Sequence, residues 1–325
     1  YRSGKFRHCT FGGYKEKPII NPKQGAKRMD ITTFNYLYHK TRGYSREDII
    51  KETGLAEDEL SLLESALAPM LEEIENQRPR AESIGSEFVR LSRYIYEQKS
   101  DQECGLTRPD AIAPRSGEMY PLPAVGKLSF GDLSLQDAIG QRRSLRKYSG
   151  IPLSLEELSF VLWCSSWARD FRSNDRMEIT MRNVPSAGSR HPLETFVDAR
   201  RVVGLKPGVY YYHPIKHCLI LMSEDPHMQD SIFEACFRQE MVNTAAVNLI
   251  LSAVPYRTVW RYGQRGYRYL YLDAGHVGQN VHLAAEAIGG GACMIGAYLD
   301  EAMNEALGLD GQSEFVIYIS SLGKK

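Results

Sequence analysis

Apolar positions in the first third of the chain recur at the spacing of a helix. Between residues 31 and 99, one predicted helical face carries Leu60, Leu63, Leu67 and Met70. Ser45 predicts a helix start, because serine caps a first turn, and Gly54 predicts that helix's end. Further helices are predicted from Glu57 and at Ser83–Gln98. This is a helix-turn-helix pattern, but its second helix begins with acidic residues that phosphate would repel. We therefore favour a helical packing or peptide-docking element over a DNA reader.

From about residue 126 the pattern mixes helices and strands without strict alternation. Helices are predicted at Leu133–Arg142, from a cap at Ser154, and at Tyr271–Ile288. Strand patterns occupy residues 194–202, 208–222, 245–254 and 313–323. The second of these predicts a hairpin that turns at His213-Pro214. Such a mixture predicts an α+β fold rather than a doubly wound parallel sheet.

A stretch rich in proline and glycine, residues 100–125, separates the two patterns and marks the predicted boundary. Residues 1–117 are expected to form an N-terminal arm and a helical region for substrate or partner recognition. The basic first 30 residues suggest either an arm on the body or partner, or a plain surface tail. Residues 118–325 are expected to form the domain that carries the chemistry.

Composition excludes several classes of protein. The chain has 325 residues, 43% of them apolar, which is typical of a globular protein. Forty basic and forty acidic residues balance, which argues against a nucleic-acid or membrane binder. No apolar run approaches the roughly 18 residues of a membrane span. The six cysteines form no CxxC pair, so neither a zinc site nor a disulfide framework is expected, and free thiols suggest a reducing cytoplasm.

Three segments carry candidate chemistry. The first, Arg142–Arg146, offers three guanidinium groups and a hydroxyl that suit phosphate, although a solvated basic helix end explains it equally well. The second, Pro185–Glu194, is an irregular loop whose small residues expose backbone groups. Its His191 is more often structural than catalytic.

The third segment, Arg261–Ala297, joins a cationic aromatic stretch, a helix rich in small residues and three glycines. Gly289–Gly291 is expected to close the helix and lead into a short apolar strand. The glycines fit neither GxGxxG nor GKS/T spacing, which excludes the Rossmann and P-loop interpretations. Cys293 in the following strand is expected to be a buried, inert thiol.

Taken together, the three segments resemble the SagB/thiazole-oxidase (azoline dehydrogenase) branch of the FMN-dependent nitroreductase superfamily. The resemblance rests on RRSLRKYSGIPLSLEELSFVLW, PSAGSRHPLE and RYGQRGYRYLYLDAGHVGQNVHLAAEAIGGGACMIGAYLD, in this order, and covers about residues 118–323. It implies a nitroreductase-like mixed sheet flanked by helices, with FMN bound at the interface of a homodimer.

The resemblance also implies roles for individual residues. The phosphate and ribityl end of the flavin would contact Arg142, Arg143, Ser144, Arg146 and Lys324. The isoalloxazine would lie along Pro185, Ser186, Ala187, Gly188 and Ser189. Backbone groups facing flavin N5 and O4 would come from Met294, Ile295, Gly296 and Ala297.

A proton carrier is harder to assign. Azole-forming relatives carry a Lys-Tyr pair that we place in the GVYYYHP hairpin, where this chain has Tyr211-Tyr212. Tyr212 is therefore the candidate catalytic residue, but the missing lysine casts doubt on azoline oxidation, and a core strand face explains Tyr212 equally well. Tyr262 and Arg265 are candidates for substrate binding, with an ion-pair network between subunits as the alternative.

The leading hypothesis is an FMN-dependent dehydrogenase of the azoline-oxidase type, acting on a modified peptide or small heterocycle beside biosynthetic partner enzymes. An NAD(P)H-dependent nitro or quinone reductase is the runner-up. A flavin-fold scaffold without catalytic activity is the third hypothesis.

Overall fold

The computed structural model describes residues 31–41, 43–81, 84–127, 130, 133–174 and 178–325. The chain forms two compact units that divide between Val89 and Arg90. The predicted arm over residues 1–30 lies outside the described residues. The division falls earlier than the predicted boundary at residue 117, because residues 90–117 pack within the second unit. There Trp260 Nε1 donates to the Leu106 carbonyl at 3.1 Å and Arg257 Nε to the Asp110 carbonyl at 2.8 Å.

The start of the chain's described part is helical, as predicted. Its helices are α1 (Ile31–Thr41), α2 (Arg46–Thr53), α3 (Glu57–Ala81) and α4 (Ile84–Leu91). Ser45 caps α2, since its Oγ accepts from the Asp48 N–H, and Gly54 ends α2 with a left-handed φ of 70°. The predicted helix Ser83–Gln98 ends earlier, at Leu91, and a 3₁₀ turn follows. The first unit's small core consists of Tyr36, Leu37, Ile49, Leu60 and Leu63.

The second unit contains seven helices and nine strands among its described residues. The helices are α5 (Leu135–Gln141), α6 (Leu155–Ser165), α7 (Pro226–Ala235), α8 (Glu240–Thr244), α9 (Tyr256–Tyr262), α10 (Gly266–Ala287) and α11 (Asp300–Ala306). The strands are β1 (Met119–Pro121), β2 (Ala168–Ser173), β3 (Glu178–Arg182), β4 (Leu193–Ala199), β5 (Gly208–His213), β6 (Cys218–Ser223), β7 (Val247–Ala253), β8 (Gly290–Ile295) and β9 (Phe315–Lys324).

Seven strands form one sheet in the order β1-β6-β5-β4-β7-β9-β8, while β2 and β3 form a separate hairpin. The ladders between the described strands are antiparallel. Parallel contacts in this part of the chain are isolated bridges, such as Ser144 with Ala292. The predicted α+β fold is confirmed, and so is the predicted hairpin of β5 and β6, which turns after His213.

Helices cover both faces of the sheet, so its central strands β4 and β7 are buried along their whole length. Because side chains alternate across a strand, Tyr210 and Tyr212 enter one core and Tyr211 enters the other. The first core includes α10 side chains, and the second includes residues of α7 and α11. No helix in the described part of the chain has the length and apolar character needed to cross a membrane.

The longest helix of the second unit, α10, begins five residues before the predicted start and ends at Ala287. Its small residues let it pack closely on the sheet: a Cβ on Gly278 would lie 3.0 Å from Met294 Cε. Gly289 ends the helix with a left-handed φ of 68°, while Gly290 and Gly291 already belong to β8. The prediction that all three glycines close the helix therefore holds for Gly289 alone.

Candidate active site

The basic residues 142–146, here called the arginine segment, lie flat on the edge of the sheet. The Leu145 N–H donates to the Ala292 carbonyl at 2.9 Å. A Cβ on Gly291 would come within 2.8 Å of Leu145, and a Cβ on Gly323 within 2.7 Å of the Tyr148 ring. Glycine at these two positions thus allows the arginine segment to approach β8 closely and Tyr148, which follows the segment, to approach β9.

The charges of the arginine segment face solvent. Arg142 is half-buried, whereas Arg143, Ser144 and Arg146 are exposed. Arg143 donates to the Gly140 and Arg142 carbonyls at 2.9 and 2.7 Å, so part of its guanidinium serves the end of α5. Among the described residues no carboxylate pairs with a guanidinium of this segment. Its positive charge is therefore available to an anion.

Two groups beside the arginine segment have shifted pKa values. Burial lowers the pKa of His282 on α10, and the charge of Arg142 lowers it further. Burial raises the pKa of the Cys293 thiol, although hydrogen bonds with Arg146 and Ser144 oppose the shift. Cys293 is thus a buried neutral thiol.

Lys324 lies at the end of β9, opposite Gly290 of β8. Its ammonium group pairs with Glu157 on α6 and donates to the Ile288 carbonyl at 2.5 Å. The charge of Lys324 is therefore partly compensated inside the chain, and its contact with a phosphate stays a prediction.

The loop 185–189 rests on the other end of α10. Its Gly188 and Ser189 have left-handed φ values of 56° and 52°. Asp273 on α10 lies beside the loop, where the Ser186 hydroxyl and the Ala187 N–H favour its ionised carboxylate. Burial nevertheless raises the pKa of Asp273, because desolvation outweighs the influence of these two groups. A second contact joins His276 Nδ1 to the Pro185 carbonyl at 3.2 Å.

The arginine segment and the loop 185–189 therefore lie near different levels of the same helix. Asp273 lies beside the loop. His282, nine positions later on α10, has its pKa lowered by the charge of Arg142. At a rise of 1.5 Å per residue the two positions are about 13 Å apart along α10. A ligand with a flat ring at one end and an anion at the other could reach both.

The predicted ring contacts after β8 are only partly exposed. Met294 is half-buried and packs against Gly278, while Ile295 belongs to the opposite core. Gly296 and Ala297 are exposed. The backbone that a ligand could approach is thus that of the last two residues.

The two predicted substrate residues, Tyr262 and Arg265, differ in their contacts with the rest of the chain. The Tyr262 hydroxyl lies so close to Gly188 that a Cβ there would collide with it, which places Tyr262 beside the loop 185–189. Arg265 donates to the Ser92 carbonyl at 2.6 Å and to the Tyr269 hydroxyl at 2.9 Å, and its guanidinium stacks 4.1 Å from the Tyr94 ring centre. Arg265 thus holds residues 92–94 against α10 within one chain.

Tyr212, the predicted catalytic residue, lies in the core with 1% of its surface exposed. Its hydroxyl bonds to His217 Nδ1 at 2.7 Å, and His217 Nε2 bonds to the Ser159 hydroxyl at the same distance. Burial raises the pKa of Tyr212 well above its usual value. This position favours the alternative of a core strand face over a proton carrier.

A buried group of charged residues behind the loop was missed by sequence reasoning. Arg257 pairs with Glu194 at 2.5 Å, and the same carboxylate accepts from the Tyr211 hydroxyl at 2.6 Å. Burial opposes ionisation of Glu194, but Arg257 and Arg182 together lower its pKa. Arg190 is also buried, 5.4 Å from the Trp260 ring centre. Only the arginines inside otherwise apolar stretches could have signalled this cluster.

Among the described residues, His, Cys, Asp and Glu side chains form no group of three that could hold a metal ion.

Comparison with known proteins agrees with this geometry. The nitroreductase family model matches residues 139–324. A nitroreductase-family protein of Methanocaldococcus jannaschii is 35% identical over 194 residues, which are 60% of this chain and 92% of that protein. The trifolitoxin-processing protein TfxB of Rhizobium leguminosarum bv. trifolii is 31% identical over 120 residues, which are 33% of this chain and 30% of TfxB.

A solved structure supports the same fold. The crystal structure of a nitroreductase-family protein from Ralstonia eutropha covers 67% of this chain and 94% of its own, with 23% identity and a TM-score of 0.52. The family model matches more than half of the chain, and this chain aligns with nearly all of the M. jannaschii relative, which decides the assignment. The chain belongs to the nitroreductase family, whose members are typically FMN-dependent oxidoreductases.

Proposed function

We propose that this protein is an FMN-dependent dehydrogenase that acts on a modified peptide or a small heterocycle, in the manner of azoline oxidases. The observation that carries the proposal is the placement of two segments beside α10. The loop of small residues, with its left-handed backbone, lies against this helix. The arginine segment, which has no carboxylate partner among the described residues, directly follows α5, and α5 packs on α10.

The arginine segment suits the phosphate of FMN. Arg142 and Arg146 have no carboxylate partner among the described residues, and the Ser144 hydroxyl lies between them in sequence. Planar guanidinium groups bind phosphate oxygens through paired, charge-assisted hydrogen bonds. The backbone bond from Leu145 to Ala292 holds the segment in place before any ligand binds.

The loop 185–189 suits the ring of FMN. Its backbone is held by Asp273 and His276 and can present peptide groups to a heterocycle edge. The cofactor, when bound, would supply a two-electron acceptor for a hydride from the substrate. Tyr262, beside Gly188, is placed to contact a substrate lying over the loop.

A homodimer is part of the proposal. On α10, Tyr271 and Leu272 are more than half exposed, and on α5 so are Leu135 and Ile139. Exposed apolar side chains on two helices that contact each other are typical of a protein interface. A second copy of the chain would cover them and close the flavin site.

The substrate class rests on the relative named for trifolitoxin processing, which supports a role in modifying a biosynthetic precursor. The helical first unit would then recognise a peptide or a partner enzyme. A nitro or quinone reductase using NAD(P)H is the second candidate. The similarity to the M. jannaschii nitroreductase-family protein and the absence of a lysine beside Tyr212 favour it.

Spectroscopy of the purified protein tests the proposal. We expect one bound FMN per chain, with a flavin absorption that an azoline-containing peptide bleaches under anaerobic conditions and that NAD(P)H leaves unchanged. Bleaching by NAD(P)H alone would support the reductase. Colourless protein that FMN cannot reconstitute would contradict both enzymes and support a scaffold.

A further inference from the structure

A small cavity lies behind the loop 185–189. Its volume is about 10 Å³, and it is bounded by β3, the end of α6, α10 and the loop itself. Its polar lining comes from Ser165, Ser166, Arg182, His191 and Asp273. A cavity of this size holds about one water molecule.

Two buried polar atoms that line this cavity have no hydrogen-bond partner among the described residues, Arg182 Nη2 and Asp273 Oδ2. The other nitrogens of Arg182 are engaged, since Nη1 donates to the Leu193 carbonyl at 2.8 Å and Nε to the Thr180 hydroxyl at 3.3 Å. Arg182 is 6% exposed and Asp273 is 5% exposed. Bulk water therefore does not satisfy either atom, and buried groups of this kind normally have a partner.

The chemistry of the two atoms selects the occupant. Arg182 offers a positively charged donor, and Asp273 offers an acceptor. An anion would be repelled by Asp273, and a cation would be repelled by Arg182. A neutral water can accept from Arg182 and donate to Asp273, and the hydroxyls of Ser165 and Ser166 provide further contacts.

The carboxylate of Asp273 also lies against the loop 185–189. Asp273 lines the cavity together with Pro185 and lies beside the Ser186 hydroxyl and the Ala187 N–H, and Ser186 Oγ accepts from the His191 N–H at 2.9 Å. Ser189 and His191 adopt left-handed φ values of 52° and 41°, which side chains other than glycine adopt only under constraint.

We propose that one ordered water bridges Arg182 and Asp273 and that these two side chains act through it as positioning residues for the loop 185–189. Their effect on cofactor binding rests on the proposed function, whereas their effect on the loop does not. Arg182 holds the water, the water orients Asp273, and Asp273 holds the loop.

The first test is a diffraction structure of the wild-type protein without ligand. We expect one water within hydrogen-bond distance of both Arg182 Nη2 and Asp273 Oδ2. A dry cavity, or density whose coordination is that of an ion, would overturn the proposal whether or not any variant folds.

The second test compares Arg182→Met, Asp273→Leu and the double variant by hydrogen exchange of the apoprotein. The amides of Ala187 and His191 should exchange about tenfold faster or more in each variant. The reason is that each variant removes one of the two charged side chains that, in the proposal, hold the loop through the water. The double variant should resemble either single one, since the two side chains act as one unit. The Leu145 amide, which bonds to Ala292, should not change.

Titration of the same variants with FMN links the loop to the cofactor. The dissociation constant should rise by about tenfold or more in each single variant, and Asp230→Asn, at an exposed position of α7, should bind like the wild type. Unchanged exchange in Arg182→Met, or additive effects in the double variant, would refute the proposal. A wild type that binds no FMN would contradict the proposed function while leaving the exchange result valid.

Discussion

The arginine segment and the loop 185–189 lie near the same helix, but different forces hold them. The arginine segment is seated by a backbone hydrogen bond and by glycine contacts, and its charges remain in solvent. The loop is backed by charges that are almost fully buried, on Asp273, Arg182 and Glu194. The difference separates charges that are free to bind a ligand from charges that maintain a shape.

The physical reason lies in desolvation. An exposed guanidinium without a partner costs little free energy, because water solvates it. Arg146 therefore remains available to bind an anion. A buried charge costs several kcal/mol unless it is paired. The buried carboxylate of Glu194 therefore pairs with Arg257 and accepts hydrogen bonds from the Tyr211 hydroxyl and the Ala113 N–H. Substitutions on the buried side should reduce stability, and substitutions on the exposed side should reduce binding.

The largest expected effect is that of Glu194→Gln on stability. Removing the carboxylate leaves Arg257 buried without its counter-charge, which should lower the free energy of unfolding by about 3–5 kcal/mol. Urea denaturation followed by circular dichroism measures this loss. Glu224→Gln, which breaks the exposed pair with Lys206, is the matched control and should cost less than about 1 kcal/mol. Equal losses of unfolding free energy in the two variants would contradict the idea that buried charges maintain the structure more than exposed ones do.

The next effect concerns binding rather than stability. Replacing Arg142 and Arg146 together by alanine should weaken FMN binding by about 100-fold or more, because two charge-assisted contacts are lost. The unfolding free energy should stay within about 0.5 kcal/mol of the wild type. Fluorescence titration with FMN gives the affinity, and Arg172→Ala, in an exposed pair with Asp170, provides the control. Retention of full FMN affinity would contradict the phosphate assignment.

A third effect depends on pH and tests the buried side again. Burial and the nearby charges of Arg182, Arg190 and Arg257 lower the pKa of His191 to about 2. The unfolded chain binds a proton below about pH 6.5 while the folded chain does not, so stability falls as pH falls through this range. The slope is about 1.4 kcal/mol per pH unit, or roughly 2 kcal/mol between pH 6.5 and 5.

His191→Asn should remove this part of the pH dependence. Asparagine tolerates the left-handed φ of 41° at this position. Unfolding free energies at pH 7 and pH 5 measure the change, with exposed His227→Asn as the control. If the His191→Asn variant loses as much stability on acidification as the wild type, His191 is not the group responsible.

The smallest effect is expected for Tyr212→Phe. The substitution removes the hydrogen bond to His217 and should cost about 1 kcal/mol of stability. Turnover should change little, whereas loss of a true proton carrier would reduce it by about 10²–10⁴-fold. Steady-state kinetics distinguishes the two outcomes, and Tyr262→Phe, beside the loop 185–189, is the comparison at the proposed substrate face.

Local signals in the sequence predicted much of the second unit. Ser154 and Glu157 form the predicted capping box at the start of α6, and the hairpin turns where expected, after His213. Short elements without such signals, including β2 and β3, were not predicted. Their stability comes from pairing and packing with distant residues, which a pattern along the chain does not contain.

The sequence by itself determined the helical first unit, the hairpin of β5 and β6 and the segments in which chemistry is expected: the arginine segment, the loop 185–189 and the glycine-rich strand β8. Only the tertiary structure decided how these segments are placed. It placed Gly291 against Leu145, put the Tyr212 hydroxyl inside the core, and brought Arg182 and Asp273 to one cavity. Capping, periodicity and charge act between neighbours in sequence, whereas burial and pairing depend on residues that only folding brings together.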